Sequence, residues 1–136
     1  MSQSINLYKQ LANHNLFNKS VNFGLKRIKL ALALLGHPEK KLKNVISVVG
    51  ESGKFTTLFS LKSFIEASNQ NVTTHISPSL RDIRERFYMG DKYLSHKEIK
   101  KTIKQIEKLN IPLTVFECLT LVYICLLYTS DTADEP

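Results

Sequence analysis

The sequence predicts an α/β fold, a parallel sheet flanked by helices, and three observations carry that prediction. Short β-branched runs alternate along the chain with segments of helical periodicity. One of these runs, Val45-Ile46-Ser47-Val48-Val49, is nearly continuous in its apolar character, the pattern of a strand covered on both faces. A glycine-bearing turn, Gly50-Glu51-Ser52-Gly53-Lys54, joins that run to the helical segment after it. Parallel strands linked in this way need crossover connections, which are right-handed.

Between Gly24 and Leu35, the residues Leu25, Ile28, Leu32 and Leu35 recur at helical spacing, and Gly36 with Pro38 beyond it gives the C-terminal signal. The basic stretch Lys41–Asn44 leads into the Val45–Val49 strand. After the glycine turn, Leu58, Leu61, Phe64 and Ile65 mark a helix to about Ala67, which Asn69, Gln70 and Asn71 interrupt. Val72, Thr74 and Ile76 alternate with polar residues as a second strand, ended by Ser77-Pro78-Ser79, and a charged loop runs from Arg81 to Asp91. Ser95 and Glu98 form a capping box for a helix with the stripe Ile99, Ile103, Ile106 and Leu109, leaving Lys97, Lys100, Lys101, Lys104 and Lys108 to water. Past Pro112, Leu113–Phe116 reads as a strand and Glu117–Ile124 as the start of a helix.

The 136 residues, 43% hydrophobic, suffice for one core but not for two domains with a cleft between them, so a complete multidomain enzyme is not expected. Nineteen basic against 12 acidic residues give +7, a balance that attracts polyanions without choosing among them. Cys118 and Cys125 stand outside any CxxC pattern with no histidine near, which argues against a disulfide framework and a zinc site and favours a reducing cytoplasm. Met1–Asn13 lacks the apolar region of a secretory signal. The longest apolar stretch, Leu113–Tyr128, is shorter than a bilayer span and carries Glu117, so no membrane partner is expected.

Gly50–Thr57 lies where a phosphate-binding loop belongs, between a strand and a helix. Glycines let backbone N–H groups turn inward, the helix N-terminus adds positive potential, a lysine neutralises phosphate and a hydroxyl can hold magnesium. The spacing is GxxGKxT, not the usual GxxxxGK[ST], so by itself the stretch reads either as a phosphate cradle or as a plain strand-to-helix turn. Lys54 likewise reads as a phosphate ligand or as a solvated lysine, and Ser77-Pro78 as a ligand-bearing block or a strand-ending turn. Arg81, Arg84 and Arg86 with Asp82 and Glu85 read as a salt-bridged loop or a substrate clamp. Glu117, on an apolar stretch, requires a partner, which the loop backbone or the water shell of a metal could supply. His14, His37, His75 and His96 are scattered singly and read as structural or surface residues.

Five blocks in order resemble folylpolyglutamate synthase/dihydrofolate synthase, of the Mur ligase-like group. They are Phe23-Gly24-Leu25-Lys26-Arg27-Ile28, Leu35-Gly36-His37-Pro38-Glu39-Lys40-Lys41-Leu42, the glycine loop, Ser77-Pro78-Ser79-Leu80 with Glu85-Arg86, and Leu113-Thr114-Val115-Phe116-Glu117. The resemblance implies the Mur ligase central-domain fold with its P-loop. It also implies an ATP- and magnesium-dependent amide ligase that phosphorylates the carboxylate of a folate or dihydropteroate and lets L-glutamate displace the phosphate. Gly50, Ser52, Gly53, Lys54, Thr56 and Thr57 would hold the ATP phosphates, with Lys54 as the catalytic cation. Thr56 and Ser77 would face the metal, Phe23, Gly24, Leu25 and Arg27 the substrate pocket, and Glu117 would support the active site. The implied enzyme is a cytoplasmic monomer in folate biosynthesis and one-carbon metabolism, with no nucleic-acid partner.

Three departures from the family pattern, at four positions, stand out. Glu51-Ser52 replaces Thr-Asn and sets a carboxylate beside a triphosphate cradle, Phe55 replaces a glycine, and Ser79 stands where histidine is common. A degenerate, non-catalytic relative is therefore one alternative. A small basic nucleotide- or nucleic-acid-binding module using the lysine-rich helix and the arginine loop is another. Residues 1–124 are expected to be the N-terminal part of the ATP-binding domain. Residues 125–136 resemble the translation of a sequencing adapter, a non-native tail, so the stretch alone is expected to be inactive. Asp131, Asp134 and Glu135 belong to that tail and no lysine or arginine does, so the remainder is more basic still.

Overall fold

The computed structural model describes residues 24–131. Helix α1, Lys26–Leu34, buries Ala31, and Ile28, Leu32 and Leu35 pack beside it against the core. It stops where the sequence signals. Gly36, at φ +79°, sends its N–H to the carbonyl of Ala33 (3.1 Å), and the N–H of His37 reaches that of Leu32 (2.8 Å), which closes the helix in a Schellman turn. A 3₁₀ turn, Pro38–Lys41, follows.

Helix α2, Lys54–Ala67, comes next and ends in the same manner at Asn69, φ +64°. The ribbon of β1, Thr73–His75, and β2, Phe87–Met89, is antiparallel, with Thr74 opposite Tyr88 and His75 opposite Phe87. Between the two strands, a 3₁₀ turn at Ile83–Arg86 is capped by Asp82 and Glu85. Helices α3, His96–Glu107, and α4, Val115–Asp131, pack on each other. The core sits between them and the ribbon and includes Phe87, Ile99, Ile103, Ile106, Leu113, Leu119, Leu121 and Val122. Ser95 caps α3 as expected and the five lysines are exposed.

The strands differ from the expectation in three ways. Residues 45–49 pair with no strand among the described residues, and Val45, Ile46 and Val49 stand 59–87% exposed. An apolar run forms a buried strand only when neighbours cover both its faces, and among the described residues no strand lies beside this one. The sheet described is correspondingly the antiparallel ribbon, not a parallel one. Leu113 and Thr114 are not strand but the lead-in to α4. Thr114 Oγ1 accepts from the N–H of Glu117 (3.1 Å), and a Glu117 carboxylate oxygen accepts from the N–H of Thr114 (2.7 Å), a capping box that starts a helix instead.

Helix α4 runs unbroken through Ile124 and Cys125. Leu126 packs against the core, and Lys41 Nζ donates to the Tyr128 hydroxyl at 2.9 Å. Both cysteines are free, and burial pushes the Cys118 thiol up to about 12. No helix among the described residues is long and apolar enough to cross a membrane.

Candidate phosphate-binding site

The loop between Val49 and α2 depends on two glycines. Gly50 has φ +145° and Gly53, the N-cap of α2, has φ +76°. A Cβ on Gly53 would meet nothing within 4 Å, so the backbone conformation, not space, calls for glycine there. A glycine N-cap offers no side-chain acceptor, which leaves first-turn N–H groups of α2 for an external anion. Lys54 arches back over the loop, donating to the carbonyls of Gly50 and Glu51. Glu51, Ser52, Thr56 and Thr57 are exposed around it. Phe55 lines the cavity beside Lys54. Its ring turns along the helix and stacks on Phe59, centroids 6.5 Å apart.

Ser77 follows β1 after Ile76, and its bond to Pro78 is cis. Its hydroxyl accepts from Arg86 Nη1 at 3.1 Å, and Arg86 is buried. Lys54 and Ser77 line one cavity of about 560 Å³, bounded by residues 42–49, α2, β1 and the Tyr123–Ile124 stretch of α4. No group of three or more His, Cys, Asp or Glu side chains gathers among the described residues. A cation here would rest on hydroxyl and phosphate oxygens, a donor set that suits magnesium.

His75 lines the same cavity, stacked between Phe87 and Tyr123 at 5.5 and 5.0 Å. Its Nδ1 lies 3.0 Å from the Arg86 carbonyl. A carbonyl can only accept, so Nδ1 carries the proton and Nε2 is left as a buried acceptor without a partner among the described residues. Burial pushes the imidazole below its ordinary pKa, with the Arg86 carbonyl bond opposing.

The remaining sequence candidates lie elsewhere. Phe23 is outside the described residues. Gly24 and Leu25 precede α1, both exposed, and Arg27 points its guanidinium at Glu117, with Nε to Oε2 and Nη2 to Oε1 both 3.3 Å. Of the sequence candidates among the described residues, only Lys54 and Ser77 line the cavity; Gly50, Ser52, Gly53, Thr56 and Thr57 do not, nor do Gly24, Leu25, Arg27 and Glu117. Glu117 finds partners in Arg27 and the Thr114 backbone, away from the phosphate loop. The arginine loop is mixed. Arg84 pairs with Asp82 at 3.0 Å, as a salt-bridged loop predicts, whereas Arg86 turns inward to Ser77. Sequence reasoning missed that inward turn, and the adjacency of Arg86 to the aromatic pair Phe87-Tyr88 that opens β2 was the available signal.

No family profile matches the chain. Two curated relatives do. The dihydrofolate synthase/folylpolyglutamate synthase of Bacillus subtilis is 31% identical over 94 residues, which is 69% of this chain and 22% of the relative. That of Escherichia coli is 34% identical over 109 residues, 79% of this chain and 26% of the relative. Among solved structures, E. coli FolC in complex with DHPP and ADP superimposes with a TM-score of 0.81 at 30% identity, over 93% of this chain and 30% of that one. The Yersinia pestis bifunctional folylpolyglutamate synthase/dihydrofolate synthase gives 0.80 at 27%, over 93% and 31%. The chain thus spans about a quarter of the length of the curated relatives it matches.

Proposed function

We propose, for a chain that belongs to the folylpolyglutamate synthase/dihydrofolate synthase family, that it supplies the phosphate-binding part of an ATP-dependent ligase. The ligase joins L-glutamate to a folate or dihydropteroate carboxylate through an acyl phosphate. The observation that carries this reading is the meeting of Lys54 and Ser77 at one cavity, beside a loop with two glycines at positive φ. Gly50, Ser52 and Gly53 turn backbone toward the phosphates, and Lys54 leaves the loop carbonyls to neutralise them. Thr56 and Thr57 complete the cradle from the first turn of α2. Magnesium, when bound, spreads the charge of the phosphates, and the hydroxyls of Thr56 and Ser77 are the groups of this chain that hold it. Gly24, Leu25 and Arg27 face the substrate, with Phe23 before them. Glu117 supports that pocket by fixing Arg27.

In this reading residues 1–124 form the N-terminal part of the ATP-binding domain and residues 125–136 a foreign tail, so the stretch alone does not ligate. The complete protein is a cytoplasmic monomer. Its test is ATP- and glutamate-dependent extension of a folate by the complete protein beside its Lys54→Ala variant. The expected result is ligation that falls about 100-fold or more in the variant. Undiminished ligation would remove Lys54 from the site, and no ligation by the parent would remove the function.

A further inference from the structure

Helix α2 carries the phosphate loop yet buries none of its residues, and none of its side chains joins the core or the partly buried shell around it. What ties it to the rest of the described structure by hydrogen bond and ring contact is a polar cluster near its far end. Glu66 Oε1 lies 2.9 Å from the Tyr88 hydroxyl, Lys62 pairs with Glu66 at 2.7 Å, and the Lys62 ammonium sits 4.1 Å above the centre of the Tyr88 ring. The same hydroxyl reaches the Gly90 carbonyl at 2.7 Å, so its single proton serves two acceptors. Tyr93 meets the ring edge-on at 5.3 Å, which limits its rotation.

Two residues before Tyr88 on the same backbone, Arg86 holds the Ser77 hydroxyl. Phe87 between them is fully buried and fixes the segment to the core. Arg86 ends the 3₁₀ turn and Tyr88 lies in β2, with only Phe87 between them.

We propose that Arg86–Phe87–Tyr88 is a yoke that sets the spacing between the two halves of the phosphate site. Arg86 holds Ser77, and Tyr88, through Glu66 and Lys62, holds the helix that presents Lys54 and Thr56. Tyr88 and Glu66 are positioning residues, since neither lies in the loop or lines the cavity, whereas Lys62 is on the cavity wall. The inference rests on the phosphate-site reading above and adds residues that it does not use. The shifts in the cluster agree with a shared charge network: the bond to Glu66 pushes Lys62 up, and the bond to Lys62 pulls Glu66 down.

The test compares the 136-residue chain with Tyr88→Phe, which keeps the ring beneath Lys62 and removes the hydroxyl, and with Glu66→Gln, which keeps an acceptor for it. Two quantities are read: amide hydrogen exchange by segment, and affinity for a fluorescent ADP with magnesium. Tyr88→Phe is expected to speed exchange across Lys54–Ala67 about fivefold, the factor of one ordinary hydrogen bond, with His96–Glu107 and Val115–Ile124 unchanged. It is also expected to weaken ADP by a similar factor, and Glu66→Gln to retain more affinity than Tyr88→Phe. Unchanged exchange in Lys54–Ala67, or equal acceleration in all three helices, would overturn the yoke. So would a loosened helix with unaltered ADP affinity, which reduces the cluster to an anchor. Should the parent chain bind no ADP, the phosphate-site reading fails, and the yoke stands or falls on the exchange result.

Discussion

Helices α2 and α3 are of similar length, 14 and 12 residues, and differ in what they rest on. Helix α3 buries Ile99, Thr102, Ile103 and Ile106 and is closed at its start by the reciprocal bonds of Ser95 and Glu98. Helix α2 buries nothing and starts at a glycine with no side-chain cap. The first arrangement builds stability from apolar burial and a satisfied terminus. The second leaves N–H groups open at the helix start and sets a lysine at a cavity, folded onto the loop carbonyls, which is an arrangement suited to anion binding. Stability in this chain is concentrated in the α3–α4–ribbon layer, and the groups suited to phosphate chemistry lie on the helix that layer does not enclose.

That contrast can be broken most sharply with two phenylalanines. Phe87→Ala empties a fully buried position and should cost about 3–5 kcal/mol in denaturant unfolding. Phe64→Ala on α2, where the ring is 73% exposed, should stay within about 0.5 kcal/mol. Comparable losses at the two positions would erase the distinction.

Glu117→Ala leaves Arg27 without its bidentate carboxylate and removes half of the α4 capping box. A loss of about 2–3 kcal/mol is expected in the same assay, and a change below ~0.5 kcal/mol would show that the pair does not join α1 to the layer.

The smallest effect concerns pH. Burial holds His75 below its ordinary value of 6.5, so folding favours the neutral ring. As pH falls below that value the unfolded chain takes up the proton first, and stability present at higher pH declines toward the folded pKa. His75→Phe, which preserves the stacking between Phe87 and Tyr123, should flatten this part of the stability profile. An identical slope in the variant would place the acid sensitivity elsewhere.

Local signals were readable in the sequence. Gly36 and Asn69 ended helices where the hydrophobic period stopped, Ser95 and Glu98 announced α3, and the glycine loop fell at the start of a helix. Thr114 and Glu117 carry the same spacing as Ser95 and Glu98, but the apolar residues around them have the composition of a strand, which masks the cap. Asp82 and Glu85 are a third instance. Long-range relations were not readable. Arg27 and Glu117 are 90 positions apart, and no periodicity joins them. Residues 45–49 have the composition of an inner strand, but composition does not state which neighbours are present to cover it.

The central claim, that the Gly50–Thr57 loop and Ser77 form one phosphate site, is tested most directly by calorimetric titration of ADP with magnesium into the 136-residue chain. The prediction is a single saturable site, lost in Lys54→Ala, and weakened in Ser77→Ala only when magnesium is present. Titration heats no larger than dilution in the parent, or equal affinity in parent and Lys54→Ala, would contradict it.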